Sequence, residues 1–179
     1  MSEKRIAWAM TGAGHGLEEC LGLLMKHNEV DLFLSRAAEE VLAMYRMNTR
    51  LADSGARVYR EENASAPLVS RLFAGVYSVL VIAPATSNSI AKFVHGISDT
   101  LVTNLFAQAG KSKVPIVVYP TDLLPEVDSL GPRGERIRVY PRTIDLENTD
   151  KLQSFSGVDV VASIAELEQC LSGYYGLRK

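Results

Sequence analysis

Short apolar runs alternate with amphipathic helical patterns along this 179-residue chain. Several of the runs end in glycine, proline or hydroxyl residues. That order predicts an α/β fold, a three-layer doubly wound parallel sheet of flavodoxin-like or Rossmann-like type. The length predicts one domain over residues 1–179. A chain of this size buries about 70% of its unfolded surface, so it needs no metal or disulfide staple.

The elements follow in order. Ile6–Met10 is a buried strand that runs into Thr11-Gly12-Ala13-Gly14-His15-Gly16. From Leu17 to Lys26, apolar residues recur at 17, 20, 21, 24 and 25, one face of a helix. Val30–Leu34 is a second strand, with Ser35 placed to cap a helix through Met44. Residues 47–66 are polar and irregular, with a short strand around Val58-Tyr59, and a short helix covers Leu68 to Phe73. Ser78–Ala83 is the clearest parallel strand, ended by Pro84. Helical patterns at 89–95 and 99–109 are separated by Gly96. Val114–Tyr119 is a strand ended by Pro120. Between Gly131 and Tyr140, Ile137 and Val139 alternate with Arg136 and Arg138, the pattern of an exposed strand or hairpin arm. A short helix at Leu152–Phe155, a strand at Val158–Val161 and a helix at Ile164–Leu171 complete the reading.

Composition narrows the function classes. Nineteen Lys and Arg against 21 Asp and Glu leave a net charge of −2, which argues against nucleic-acid or membrane-surface binding. Cys20 and Cys170 form no CxxC or Cys/His cluster, so no metal site is expected and a reducing cytoplasm fits. No targeting segment is recognisable, and Leu72–Ala91, uncharged apart from its flanks, contains too many polar and turn residues for a membrane span.

In such a sheet, ligands bind beyond the carboxyl ends of the strands. The exits here are the glycine turn, Ser35-Arg36, Pro84-Ala85-Thr86-Ser87-Asn88-Ser89 and Pro120-Thr121-Asp122. Gly12, Gly14 and Gly16 permit a sharp turn and a close approach to a ligand, ahead of a helix N-terminus that favours an anion. A tight turn that binds nothing has the same composition. The dinucleotide fingerprint is incomplete: Leu17 stands where its third glycine belongs, and no acidic residue ends the second strand. Arg36 is either solvated or a reader of a 2′-phosphate. Ser35, Ser87, Asn88 and Asp99 are ligand contacts or helix caps. His15 lies in the turn, while His27 and His95 sit at helix C-termini. No Ser/His/Asp or HExxH arrangement supports a hydrolase.

Met10-Thr11-Gly12-Ala13, Ser35, Pro84–Ser89 and Gly96-Ile97-Ser98-Asp99 together resemble the flavoprotein family of homo-oligomeric flavin-containing cysteine decarboxylases, over about residues 5–120. The opening AWAMTGAGHGLEE and the later YPTDLLPEVDSLGPRGERIRVYPRTIDLENTDKL are similar to its archaeal-type and dihydromethanopterin-reductase branch. The resemblance implies bound FMN and a trimer-based homo-oligomer. It assigns Thr11, Gly12, Ala13, Gly14, His15 and Ser35 to the phosphate or ribityl chain. Pro84, Ala85, Thr86, Ser87, Asn88 and Ser89 would face the flavin, and Ser98, Asp99, Thr103 and Asn104 its far edge or a neighbouring subunit. Residues 46–77 lack the histidine of the decarboxylases, and the PxMNxxMW-type clamp is absent after Tyr119.

The expected activity is therefore FMN-dependent reduction of a pterin, dihydromethanopterin to tetrahydromethanopterin. Electrons would come from a nicotinamide cofactor or a redox protein. A cysteine-substrate decarboxylase and an electron-transfer flavoprotein are the alternatives. His15 and Asp99 are the candidate proton donors. Asp122 at the fourth exit, with Arg136 and Arg138 on one face of the extended segment, would bind the substrate and its acidic tail.

Overall fold

A computed structural model describes residues 4–61 and 66–176. The order is β1 (Arg5–Met10), α1 (Leu17–Leu24), β2 (Val30–Leu34), α2 (Arg36–Met44), α3 (Asn48–Ala52), β3 (Arg57–Arg60), α4 (Ala66–Phe73), β4 (Tyr77–Ala85), α5 (Ser87–Val94), α6 (Leu101–Lys111), β5 (Ile116–Pro120), β6 (Val127–Leu130), β7 (Arg136–Val139), α7 (Thr143–Gln153), β8 (Val158–Val160) and α8 (Ile164–Gly176).

Six strands form one parallel sheet in the order β3-β2-β1-β4-β5-β8. The chain winds outward from β1 in one direction and from β4 in the other, so the switch point lies between these two strands. Alternation along the strands builds the two cores. Ile6, Trp8, Met10, Val79, Val81 and Ala83 meet α1, α2 and α8, while Ala7, Ala9, Leu80 and Ile82 meet α5 and α6. The indole of Trp8 is fully buried and donates to the Ala83 carbonyl at 2.8 Å, locking the central pair of strands.

The amino ends of the strands are held by an ionic cluster. Asp31, with no exposure, accepts from Arg5 Nε at 2.8 Å and from the Tyr77 hydroxyl at 2.7 Å, and lies 3.1 Å from Arg71 Nη2. The Arg71 guanidinium lies over the rings of Tyr59 and Tyr77. Burial and the neighbouring carboxylate push the Tyr77 phenol well above its ordinary value, so it stays a donor.

Several elements depart from the sequence pattern. β4 continues through Pro84 to Ala85. The helix after it starts at Ser87, capped by Thr86 rather than by Ser87 or Asn88. The next starts at Leu101, where Thr100 accepts from the Thr103 amide and Thr103 answers from the Thr100 amide. Asp99 is no cap: it pairs with Lys92 at 2.8 Å, which holds its carboxyl below the usual range. α3 forms within the stretch read as irregular. α7 runs over 11 residues where only Leu152–Phe155 reads as helix. Its inward side is polar, with Asp145, Asn148 and Thr149 buried beside Leu152, so hydrophobic periodicity does not reveal it.

Asp31→Ala is expected to lower stability by about 3–5 kcal/mol, because it strands buried cationic and phenolic partners. Glu168→Ala, which removes the exposed 2.7 Å pair with Lys26, is expected to cost under about 1 kcal/mol. Urea unfolding of both variants measures the contrast.

Candidate functional site

At the switch point, β1 passes into the glycine turn through Thr11, which is 2% exposed. Its hydroxyl donates to the Pro84 carbonyl at 3.0 Å and accepts from the Thr86 amide at 2.8 Å. Its amide donates to the same carbonyl at 3.2 Å. One threonine thus ties the glycine turn to the N-cap of α5.

The glycines of the turn are required by the protein's own packing. A Cβ on Gly12 would stand 2.5 Å from the Ala37 Cβ in the first turn of α2. On Gly14 it would stand 2.1 Å from the Tyr45 hydroxyl, and on Gly16, at φ +69°, 2.8 Å from the Tyr119 ring. Packing thus occupies the side of each glycine where a Cβ would stand, while Gly12 and Gly14 still border open space on another side. Tyr45 matters twice, since its hydroxyl also donates to the Leu130 carbonyl at 2.9 Å. It pins the β6–β7 hairpin over the glycine turn.

Two cavities flank the turn and share Gly12 and Thr86. The first, of about 460 Å³, receives three helix N-termini: α2 at Ser35-Arg36-Ala37, α5 at Thr86, Asn88 and Ser89, and α6 at Thr100. Ser35 caps α2 through the Ala38 amide at 3.1 Å. Glu61 bridges the other helices, accepting from the Arg36 amide at 3.1 Å and the Leu101 amide at 2.7 Å. The start of α5 carries no acidic residue, whereas α1 carries Glu18 and Glu19. Arg36 and Lys92 add positive charge, opposed by Glu40 and Glu61. This cavity suits an anion at the start of α5.

The second cavity, of about 300 Å³, lies under the hairpin. Gly12, Ala13, Gly14 and His15 line one side, and Val127, Ser129, Ile137 and Val139 the other. Thr121 and Asp122 close its floor at the end of β5. The Thr121 amide donates to the Ala85 carbonyl at 3.0 Å, and the Ser87 hydroxyl donates to Asp122 Oδ2. With apolar walls and few polar groups, the space suits a planar ring.

The sequence-selected residues divide accordingly. Thr11, Gly12, Ser35, Thr86, Asn88 and Ser89 meet around the first cavity, and Gly12, Ala13, Gly14, His15, Thr86 and Asp122 around the second. Ser87 reaches the second through Asp122. Pro84 and Ala85 are buried in β4, and Thr103 is engaged in its capping box. Ser98 and Asp99 are exposed, and with Asn104 they line neither cavity. Arg136 and Arg138 also lie outside. The hairpin turns Ile137 and Val139 toward the cavity, and Arg138 instead pairs with Glu126 at 2.8 Å and Asp128 at 3.1 Å. Sequence reading passed over Tyr45 and Glu61; both are polar residues in unpatterned stretches, and only their distant partners give them a role.

The model of the family described as Flavoprotein matches residues 1–175. The chain belongs to the Flavoprotein family. An uncharacterized protein of Methanocaldococcus jannaschii is 35% identical to this flavoprotein over 98% of both chains. A dihydromethanopterin reductase (acceptor) of Methanosarcina mazei is 41% identical over 69% of this chain, and the match spans only 57% of that reductase. Among solved structures, Burkholderia xenovorans DmrB in complex with FMN, described as a cubic protein cage for redox transfer, is 40% identical with a TM-score of 0.88. That match covers 97% of this flavoprotein and 96% of DmrB.

In this flavoprotein, Gly14→Ala is expected to displace Tyr45 and release the hairpin. Limited proteolysis should cut residues 123–140 faster in Gly14→Ala and in Tyr45→Ala. The double variant should be no faster than Tyr45→Ala, because both changes remove one contact.

Proposed function

We propose that the chain is an FMN-dependent reductase that reduces a pterin, dihydromethanopterin to tetrahydromethanopterin. One observation carries the reading: an anion-suited cavity and a ring-sized cavity meet across Gly12 and Thr86. A molecule with a phosphate at one end and a fused ring at the other fits that pairing. Two relatives named dihydromethanopterin reductase (acceptor), at 41% and 40% identity, and the FMN complex of DmrB support the assignment.

The phosphate belongs at the start of α5. Both neighbouring helix ends are already held by Glu61, and no acidic residue repels an anion from the α5 first turn. Ser89, Asn88 and Ser35 supply donors there, with Gly12, Thr11 and Thr86 along the ribityl path. FMN, when bound, supplies hydride and single-electron chemistry. The protein's part is to hold the flavin ring along the Gly12–His15 side of the cavity beneath the hairpin, to leave the Asp122 side to the substrate ring, and to exclude water there. Pro84 and Ala85 act through the backbone by fixing Thr11. His15, on the rim of the ring cavity, is the nearer of the two candidate proton donors, since Asp99 is exposed and paired with Lys92.

The chain assembles as a trimer-based homo-oligomer, and Ser98, Asp99, Thr103 and Asn104 belong to the face of the α5–α6 corner that a neighbouring subunit would meet. Electrons arrive from a nicotinamide cofactor or a redox protein. Among the described residues no helix is long and apolar enough to cross a membrane.

Purified protein is expected to be yellow and to release FMN, and the dithionite-reduced form to be reoxidised by dihydromethanopterin in a stopped-flow experiment. Reoxidation only by a redox protein would replace the reductase with an electron carrier. Ser89→Asp places a charge that favours the helix dipole but repels a phosphate. Its apoprotein should melt no lower than wild type, while FMN affinity falls about tenfold or more, roughly 1.4 kcal/mol.

A further inference from the structure

Among the described residues, Asp122 is the only carboxylate lining the cavity beneath the hairpin, and no lysine or arginine lines that cavity. It is held from three directions. The preceding residue is bonded to the end of β4 through the Thr121 amide at 3.0 Å and hydroxyl at 3.3 Å, both to the Ala85 carbonyl. The Asp122 carbonyl lies 3.5 Å from the Thr149 hydroxyl of α7, which it shares with the nearer Asp145 carbonyl at 3.1 Å. Its Oδ2 accepts from the Ser87 hydroxyl at the first residue of α5. Oδ1 takes no hydrogen bond from any described residue. Arg142, whose charge Asp122 helps to stabilise, is committed to Asp145 through Nε at 2.9 Å and Nη2 at 2.7 Å.

A carboxylate fixed beside Val127, Ile137 and Val139 loses hydration when a ring enters, and the ring must replace it with N–H donors. Two classes of fused pyrimidine differ here. A 2-amino-4-oxo edge presents a ring N–H and an exocyclic N–H side by side, matching the two oxygens of a carboxylate as a bidentate pair. A 2,4-dioxo edge, as in a flavin, presents one N–H between two carbonyl oxygens, and those oxygens face the carboxylate with like partial charge.

We infer that Asp122, positioned by Ser87, is the specificity-determining residue that selects a 2-amino-4-oxo pteridine ring through its paired N–H donors. This rests on the pterin reading above and adds the atoms by which the substrate is told from other planar rings, the flavin included.

The test is equilibrium titration of FMN-loaded protein with pterin and with lumazine, which differ in the amino or oxo group at position 2 and in the accompanying proton on N1. Wild type is expected to prefer pterin. In Asp122→Asn, whose amide offers one donor and one acceptor, pterin affinity should fall about ten- to hundredfold, while lumazine affinity holds or rises and FMN content is unchanged. Ser87→Ala, which frees the carboxylate without removing it, should lose several-fold of the same preference. An unchanged pterin-to-lumazine ratio in Asp122→Asn overturns the assignment. So does a loss of FMN with the ratio intact, which would give the carboxylate to the flavin. If reduced wild type is reoxidised by a dihydropterin yet shows no preference for pterin, the assignment falls and the reductase reading stands. If no dihydropterin reoxidises it, both fall.

Discussion

The site depends on the hydroxyl of Thr11. It sits at the switch point between β1 and β4, buried, donating to the Pro84 carbonyl and accepting from the Thr86 amide. A parallel sheet leaves the carboxyl ends of its strands without ladder partners, so exits must be satisfied by other groups. Here one side chain satisfies both the Pro84 carbonyl near the end of β4 and the amide that leads into α5. The glycine turn and the α5 N-terminus are thereby held in one register, and each of the two cavities takes a wall from both. A valine at position 11 would fill the same volume, yet take from the Thr86 amide its hydroxyl acceptor and leave the Pro84 carbonyl with the residue-11 amide as its remaining donor.

The glycine turn then acts as a spacer between elements. Gly12 lets α2 approach until the Ala37 methyl would touch a Cβ, and Gly14 admits the Tyr45 hydroxyl. The consequence for binding is indirect. Close approach of α2 brings Ser35 and Arg36 to the same cavity as α5, and Tyr45 carries the hairpin to the other side of the turn. The glycines of TGAGHG therefore set the spacing of the surrounding elements as well as bordering the cavities themselves.

The two ends of the sheet have opposite electrostatic arrangements. At the amino end the charges of Asp31, Arg5 and Arg71 are mutually paired, with Tyr77 closing the network. At the carboxyl end, helix N-termini converge and Glu61 satisfies two of them, while the start of α5 is capped by the neutral Thr86 hydroxyl and, among the described residues, Oδ1 of Asp122 takes no hydrogen bond. Buried charge is stable where it is answered within the chain; groups left unanswered beside a cavity are the ones available to a ligand. That contrast separates the structural cluster from the functional one.

Sequence alone determined the alternation of strands and helices, the parallel sheet and the strand exits around which the two cavities lie. These features rest on local apolar runs and turn chemistry, and residues 6–10, 30–34 and 78–83 report them directly. The alternation of Ile137 and Val139 with arginines also foretold the hairpin arm. Tertiary structure decided the rest. α7 buries Asp145, Asn148 and Thr149, so its inward face carries no hydrophobic signal. Thr86 and Thr100, not their neighbours, cap the site helices, a choice made by the register in which each helix meets the sheet. Arg138 is drawn to Glu126 and Asp128, and the paired apolar face of the hairpin is turned to the cavity instead. Tyr45 and Glu61 act on partners 85 and 40 residues away. Periodicity distinguishes core from solvent along a segment, whereas pairing between distant polar groups depends on which segments the fold brings together.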